Sequence, residues 1–504
     1  MGHPPTDEQQ SAIDAVKRGD STVLSAYAGC GKTATLEMIG EAIGGRQATY
    51  LAFNKAIVTE AERRMPSNVG CTTSHGLAFR AYGKNFRGRL NGPRQKTWDV
   101  ARILGLDPMV FTTWDGNTRR LTPGFMAGLV MSAVRTFTQS DATTPSGKMI
   151  PLVKGLDRPD VTGEGDATKI TERKGPNHAD LADYLDTFVR KAWIDSLNVN
   201  GRLPYTHDHY LKAWSMGEGN GGKPPQIPGD LILFDEAQDA NPALLALVNA
   251  QRDYGSQLVF VGDQFQQIYA WRGAVNALAK ADPKATRLTL SKSFRFGPPI
   301  AQVANIALQD LMAPLPLQGL GSEGIVGHFP DPPATWLFRT NAKAISFLLR
   351  SLGDGRKVAL AGDASDVISF ANAAARLMDG NRVEHPDLAC FESWSEVQDY
   401  AAFDPLGGDL KLMVDLIDEY GVDEIKDGLK RCVSEHQAEI VVSTAHKAKG
   451  REWPTVVLAA DFPDPDERDI SDEDKRLLYV AATRAKAQLD VTRVPYYTRA
   501  MKEQ

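Results

Sequence analysis

Short apolar runs alternate with longer amphipathic stretches along most of this chain. Runs at 22–26, 49–53 and 69–73 each have the length of a strand, and the apolar positions of 34–43 fall on one face of a helix. Strands separated by helix-length crossovers predict a parallel sheet, because parallel neighbours cannot be joined by a tight turn. The pattern returns at 231–235 and 257–262. A third block begins near 287–290, continues through 335–338, and resumes at 439–443 and 456–459. Two stretches break the alternation. The first, about 85–205, holds helical patterns and a Gly/Lys/Asp-rich loop around Asp157 to Pro176, with a Gly/Pro-rich loop at 217–229 beyond it. The second, about 365–435, is helix-rich. No internal sequence repeat accompanies this organisation. The expectation is an α/β fold in two halves, 1–84 with 206–280 and 281–364 with 436–504, interrupted by insertions at 85–205 and 365–435.

Composition narrows the class. At 504 residues the chain exceeds one core, and 42% apolar with 24% charged residues is the profile of a globular protein. No apolar run approaches the ~20 residues that a membrane helix needs. The polar start, Met1 to Asp7, does not read as a signal peptide. Cys30, Cys71, Cys390 and Cys432 lack any paired spacing, which argues against a zinc site or disulfides and for a reducing, cytoplasmic setting. His75 and His446 have no Cys or carboxylate ligands clustered with them. With a net charge of -6, any nucleic-acid site must be a local groove. Lys84, Arg87, Arg89, Arg94, Lys96, Arg102, Arg119 and Arg120 are either such a patch or a solvated helical surface, and the acidic stretch 461–474 reads as a surface loop.

The candidate chemistry starts at Ala26-Tyr27-Ala28-Gly29-Cys30-Gly31-Lys32-Thr33, between a predicted strand and a predicted helix. A phosphate loop needs small residues so that backbone N–H groups can approach the phosphates, a lysine for the β/γ oxygens, and a hydroxyl for Mg²⁺. Gly29, Gly31, Lys32 and Thr33 supply these, with Ala26 in place of the usual first glycine; Cys30 reads as a small residue tolerated in a tight turn. Asp235 closes the apolar run 231–235, where a carboxylate suits Mg²⁺, and Glu236 beside it suits orientation and deprotonation of a water. Asp235 lies so far beyond Thr33 that something substantial is inserted between them. Phosphoryl transfer also calls for positive charge on the γ-phosphate; Arg295 and Arg484 are candidates, although on residue type alone either reads equally as a surface ion pair.

Taken in order, these strings resemble the superfamily 1 DNA helicases of the UvrD/PcrA/Rep type. Thr6-Asp7-Glu8-Gln9, Phe53-Asn54-Lys55-Ala56, Thr73-Ser74-His75-Gly76, Asp235-Glu236-Ala237-Gln238-Asp239, Val261 to Ala274, Ser293-Phe294-Arg295, Arg339-Thr340-Asn341, Ser443 to Glu452 and Glu473 to Ala485 carry the resemblance. Pro204 to Lys212, Ser293 to Gly297 and Ser443 to Lys449 look most like the helicase part of the F-box DNA helicases. The first motif begins at residue 6, so an F-box and ubiquitin-ligase assembly are not expected. No nuclease-like carboxylate cluster follows Glu473.

The resemblance implies two RecA-like P-loop NTPase domains with parallel sheets, each with a mainly helical insertion. It implies ATP and Mg²⁺, with Gln9 reading adenine, Ala28 to Ala34 around the phosphates, Thr33 and Asp235 on the metal, Phe294 on the base and Glu452 near the ribose. Gln266 becomes the γ-phosphate sensor, and Arg295 and Arg484 become arginine fingers. Phe294 stands where many relatives have tyrosine, and Ala34 where an arginine often covers the base. A single-stranded DNA track is implied through Phe53, Asn54, Thr73, His75, Tyr269, Trp271, Arg272, Arg339, Asn341 and His446. Aromatic rings stacking on bases are worth roughly 1–3 kcal/mol each. The expected activity is ATP-driven helicase movement on single-stranded DNA and its junctions, 3'→5' by family comparison, by a monomeric motor serving repair or recombination. A translocase that strips proteins from DNA with little unwinding, or an ATP-switched DNA-binding scaffold, remains the alternative.

Overall fold

The computed structural model describes residues 4–52, 55–92, 95–112, 116, 118–153, 156–157, 160–162, 169–171, 175–268, 277–281, 283–329, 333–389, 391–402 and 409–503. Strands β1 (Thr22–Ala26), β2 (Ala48–Ala52), β3 (Val69–Thr73), β4 (Leu231–Phe234), β5 (Gln257–Gly262) and β6 (Thr286–Leu290) form one parallel sheet in the order β6-β1-β5-β4-β2-β3. Every residue of β4 and β5 is buried. That explains their unbroken apolar runs: crossover helices cover both faces, so no face needs polar side chains. The second sheet is parallel too, formed by β7 (Ile325–Val326), β8 (Ala334–Phe338), β9 (Val358–Leu360), β10 (Ile440–Thr444), β11 (Trp453–Leu458) and β12 (Ala485–Asp490) in the order β7-β12-β11-β8-β10-β9. These are two RecA-like α/β halves.

One strand departs from expectation. The run at 287–290 was assigned by its alternation to the third block, yet β6 pairs with β1, with Leu288 opposite Leu24 and Leu290 opposite Ala26. The first sheet thus gains its last strand from beyond residue 280. All strands of the first sheet precede all strands of the second, so the chain crosses between the sheets once, just after Leu290.

Helices α1 (Asp7–Lys17) and α2 (Lys32–Ala42) accompany the first sheet, and α3 (Ser74–Ala81) follows β3 directly. The first insertion packs its own apolar core around α4 (Pro123–Gln139) and α5 (Pro176–Leu197), with Phe137 edge-on to Trp193 at 4.8 Å. The chain then re-enters the first half through α6 (His207–Ser215). Arg89 fastens that junction: its guanidinium donates to the main-chain oxygens of Asp195, Asn198 and Leu203 and to the Asp195 carboxylate, with its flat face 4.6 Å from the Tyr205 ring. In the second insertion, α7 (Ser365–Met378) and α8 (Asp409–Arg431) share a core with Trp394; α8 is kinked where Gly421 takes φ 74°. The insertions meet through Arg119 on Glu396 at 2.8 Å and Thr97 on Glu384 at 2.6 Å. Helix α9 (Asp472–Ala482) brings the second half against the first, and Tyr27, Phe265, Ala445 and Tyr479 belong to one apolar cluster spanning both. Among the described residues no helix is long and apolar enough to cross a membrane.

Candidate nucleotide site and DNA-facing residues

The loop between β1 and α2 turns on two glycines. Gly29 and Gly31 take φ 77° and 74°, a region costly for any residue with a Cβ, and Gly31 caps α2 from that conformation. Space adds a second reason at Gly29: a Cβ there would lie 2.4 Å from Ser293 Oγ and 2.7 Å from Arg295 Cβ. The segment arriving from β6 therefore rests on the loop, and Phe294 N–H donates to the Gly29 carbonyl at 2.9 Å. Lys32 and Thr33 open α2 behind these glycines, with Ala34 next. Cys30 is buried, and burial first of all pushes its thiol far up, so it is no ready thiolate.

Lys32 Nζ lies 2.7 Å from one Glu236 carboxylate oxygen and donates to the other at 2.8 Å. Glu236 adopts φ 51°, rare for a residue with a side chain, and is held there by its N–H on Asp235 Oδ1 at 2.8 Å and by Gln238 Nε2 at 2.5 Å. Tyr50 donates to Asp235 Oδ2 at 2.6 Å. The two neighbouring carboxyls separate. Burial, then repulsion from Glu236, pushes Asp235 up to about 6. Burial also opposes charge on Glu236, but Lys32 outweighs it and holds that carboxyl down at about 2. Lys32 itself is held above its ordinary value: burial favours loss of its proton, and Glu236, Asp235 and Asp263 overcome this.

The second half closes the site. Arg484 is 1% exposed; Nε donates to Val480 O at 2.9 Å, Nη1 to Arg451 O at 3.2 Å, and Nη2 to Thr483 Oγ1 at 3.0 Å and Gln266 Oε1 at 3.3 Å. Burial, then the Arg295 charge, pulls it down to about 9. Arg295 pairs with Glu452 at 2.8 Å and donates to Thr483 O at 3.1 Å. Gln266 Nε2 donates to Asp263 Oδ2 at 2.7 Å. Lys449 Nζ spans the halves, 2.6 Å from Asp239 Oδ1 and 2.7 Å from Gln266 O. Lys32, Glu236, Gln266, Arg295 and Arg484, far apart in sequence, thus belong to one connected cluster.

Gln9 and Phe294 lie together on the loop: a Cβ on Gly31 would stand 3.4 Å from Gln9 Nε2 and 3.8 Å from Phe294 Cε2. Gln9 is fixed by the capping box at the start of α1, its Oε1 accepting from Thr6 N at 2.9 Å, and donates through Nε2 to Thr35 Oγ1 at 3.0 Å. Phe294 is 51% exposed, a ring with an open face beside the loop. Glu452, which the resemblance implies near a ribose, pairs with Arg295 and Lys486.

Of the residues expected on the DNA track, Phe53, Asn54, Tyr269, Trp271 and Arg272 lie outside the described residues. Thr73 caps α3 and accepts Gly76 N–H at 3.0 Å. His75 is one residue into that helix, half-exposed and 2.9 Å from Asp208 Oδ1. Arg339 Nε donates to Asp474 at 3.1 Å, and Asn341 Oδ1 accepts from Lys447 Nζ at 3.2 Å. His446 lies just after β10, partly exposed.

The stretch 9–272, more than half of the chain, matches the family profile of an AAA domain, and 423–495 matches the UvrD-like helicase C-terminal domain. The chain belongs to the UvrD-like family of DNA helicases. F-box DNA helicase protein 1 of Schizosaccharomyces pombe is 30% identical over 96% of this chain and 57% of its own length. F-box DNA helicase 1 of Gallus gallus is 28% identical over 95% of this chain and 48% of its own. A probable DNA helicase II homolog of Mycoplasma genitalium is 36% identical over 88 residues. The chain spans about half the length of the first two relatives.

Three features of this chain escaped sequence reasoning. Lys449 stood inside a quoted motif without a role, and its partners Asp239 and Gln266 lie some two hundred residues away in the other half. Tyr479 lies inside the stretch Glu473 to Ala485, where only Arg484 has an expected role. The acidic stretch 461–474 is not only a surface loop: Asp461 accepts the N–H groups of Arg339 and Thr340 at 3.0 and 2.9 Å, and Asp474 takes Arg339 and Arg468, so its two ends shape the Arg339-Thr340-Asn341 turn. Part of the basic cluster is structural. Arg89 and Arg119 are tied into junctions, and Arg94 lies outside the described residues. His209 is a fold residue, buried and capping α6 through Thr206, and burial pulls its imidazole down to about 4.

Proposed function

We propose that this chain hydrolyses ATP between its two halves and uses the cycle to travel along single-stranded DNA, opening duplex at junctions in the 3'→5' direction of its family. One observation carries the reading. The lysine of the phosphate loop and the Asp235-Glu236 pair come from the first half, Arg295, Lys449 and Arg484 come from the second, and Gln266 is bonded toward both. Charge added or removed at the γ-phosphate changes the attraction between the halves.

The residues fit MgATP. Asp235, Glu236 and Asp263 are set around Lys32; burial raises the carboxyls of Asp235 and Asp263, and Lys32 only partly offsets it. Thr33 and Asp235 would hold Mg²⁺, which when bound supplies charge against the phosphate oxygens. Lys32 then passes from Glu236 to phosphate, and Glu236 is released to orient and deprotonate water. Arg295 and Arg484 stabilise charge on the transferring group. Gln9 and Phe294 take the base, and Glu452 exchanges Arg295 for the nucleotide. Thr73, His75, Arg339, Asn341 and His446 contact the strand, together with Phe53, Asn54, Tyr269, Trp271 and Arg272.

The decisive measurement is ATP turnover with and without single-stranded DNA, followed by unwinding of 3'- and 5'-tailed duplexes, naked and protein-coated. Turnover should rise with DNA, and Trp271→Ala should weaken that rise more than basal turnover. Turnover indifferent to DNA sinks the motor. Clearance of protein without unwinding turns the reading into a stripping translocase, and DNA binding without turnover into a scaffold.

A pH dependence follows from Asp235. Below about pH 6 a proton competes for the carboxylate, so at scarce Mg²⁺ turnover should fall as pH drops through about 6, and added Mg²⁺ should restore it. Profiles at low and high Mg²⁺ that coincide would remove Asp235 from the metal.

A further inference from the structure

We infer that Tyr479 is a positioning residue of the ATPase cycle, the hydroxyl through which the second half fixes both the phosphate loop and the γ-phosphate sensor; this rests on the proposed ATP-hydrolysing function. Tyr479 lies within α9, fully buried, its ring edge-on to Phe265 at 6.4 Å. Its hydroxyl accepts the N–H of Ala28 at 2.9 Å and donates to Asp263 Oδ2 at 3.0 Å. The same carboxylate oxygen takes Gln266 Nε2 at 2.7 Å, and Gln266 Oε1 takes Arg484 Nη2 at 3.3 Å. An unbroken chain of hydrogen bonds thus runs from the backbone of the phosphate loop to Arg484, and the Tyr479 hydroxyl is its link between Ala28 and Asp263.

The chemistry of the position is restrictive. The link must accept from a backbone N–H and donate to a carboxylate from one atom, which a hydroxyl does and a phenyl ring does not. Lys449 holds the backbone carbonyl of Gln266 from the same half, so the sensor is gripped at main chain and side chain by separate residues. Without the hydroxyl, Ala28 N–H is orphaned and Asp263 keeps only Gln266 and its own loop, where Phe265 N–H donates at 3.0 Å. Gln266 then loses its link to the backbone of the phosphate loop at Ala28, while the route from Asp263 N–H through Gln238 and Glu236 to Lys32 still joins that segment to the loop.

Tyr479→Phe keeps the ring and removes only this link. In the full chain with saturating single-stranded DNA, kcat should fall about tenfold or more while ADP affinity stays within about threefold, because ADP does not engage the γ-phosphate sensor. The melting temperature should stay near that of the wild type. Tyr479→Phe combined with Asp263→Asn should lose no more than the worse single variant, since both cut one chain. An unchanged kcat, a fall in ADP affinity that matches the fall in kcat, or losses that multiply in the double variant would each overturn the inference. A wild-type chain without ATP turnover would instead refute the motor reading beneath it.

Discussion

Lys32→Ala will abolish ATP turnover, by about a thousandfold or more, while single-stranded DNA binding survives. The lysine is the one side chain bonded to Glu236 from the loop, and no second cation of the first half contacts that carboxylate among the described residues. Its removal deprives the phosphates of charge and leaves buried carboxylates uncompensated, a strongly destabilising change in a low-dielectric site. A stability signature should accompany the lost activity. In the wild type the depressed Glu236 carboxyl contributes stability that is present above its unfolded-state value and is lost as pH falls toward about 2. The variant lacks that contribution, so its melting temperature should lie below the wild type's near neutrality, with the gap narrowing as pH falls below about 4. Turnover measured beside fluorescence anisotropy on a labelled oligonucleotide reads the first part, and thermal melts at two pH values the second. Near-normal hydrolysis in Lys32→Ala would refute the assigned site.

Arg484→Lys will cost nearly as much, about a hundredfold to a thousandfold in kcat, although the formal charge is kept. Arg484 spends three nitrogens on four acceptors, Val480 O, Arg451 O, Gln266 Oε1 and Thr483 Oγ1, in a fixed planar fork. A lysine offers donors from a single point and cannot span them. Burial and Arg295 already pull even the guanidinium down to about 9, and an ammonium in that place would lose its proton far more readily. Rapid-quench measurement of the hydrolysis step should show the loss in chemistry rather than in nucleotide binding. A kcat within a fewfold of wild type would return Arg484 to a purely structural role.

The local parts of this molecule were legible because each is written in adjacent residues. A glycine-rich turn before a helix needs only Gly29, Gly31, Lys32 and Thr33, and β4 and β5 show their burial as continuous apolar runs. What stayed hidden depends on pairing at a distance. The residues Thr286-Arg287-Leu288-Thr289-Leu290 read as a strand in any sheet, and only β1 decides which one they join. Tyr479 is apolar by pattern; that its hydroxyl meets Asp263 and Ala28 follows from α9 packing on the first half. Glu452 is implied at the ribose only by resemblance; its carboxylate pairs with Arg295 and Lys486, which hold it below the ordinary range against the opposing effect of burial.

The single crossing between the sheets has a mechanical consequence. Just after Leu290, Ser291 is clamped by Glu8 at 2.8 and 2.6 Å, and Phe294 bonds to Gly29, so the covalent joint between the halves seen among the described residues is seated on the phosphate loop. A joint at that place is a fulcrum, and displacement grows with distance from it. At a domain's width of about 30 Å, a turn of about 6.5° moves an atom by about 3.4 Å, the spacing of one nucleotide along a strand of duplex DNA. Rearrangements too small to disturb either sheet therefore grow, at the far end of the lever, to about the spacing of one nucleotide, the step that the proposed movement on DNA would need.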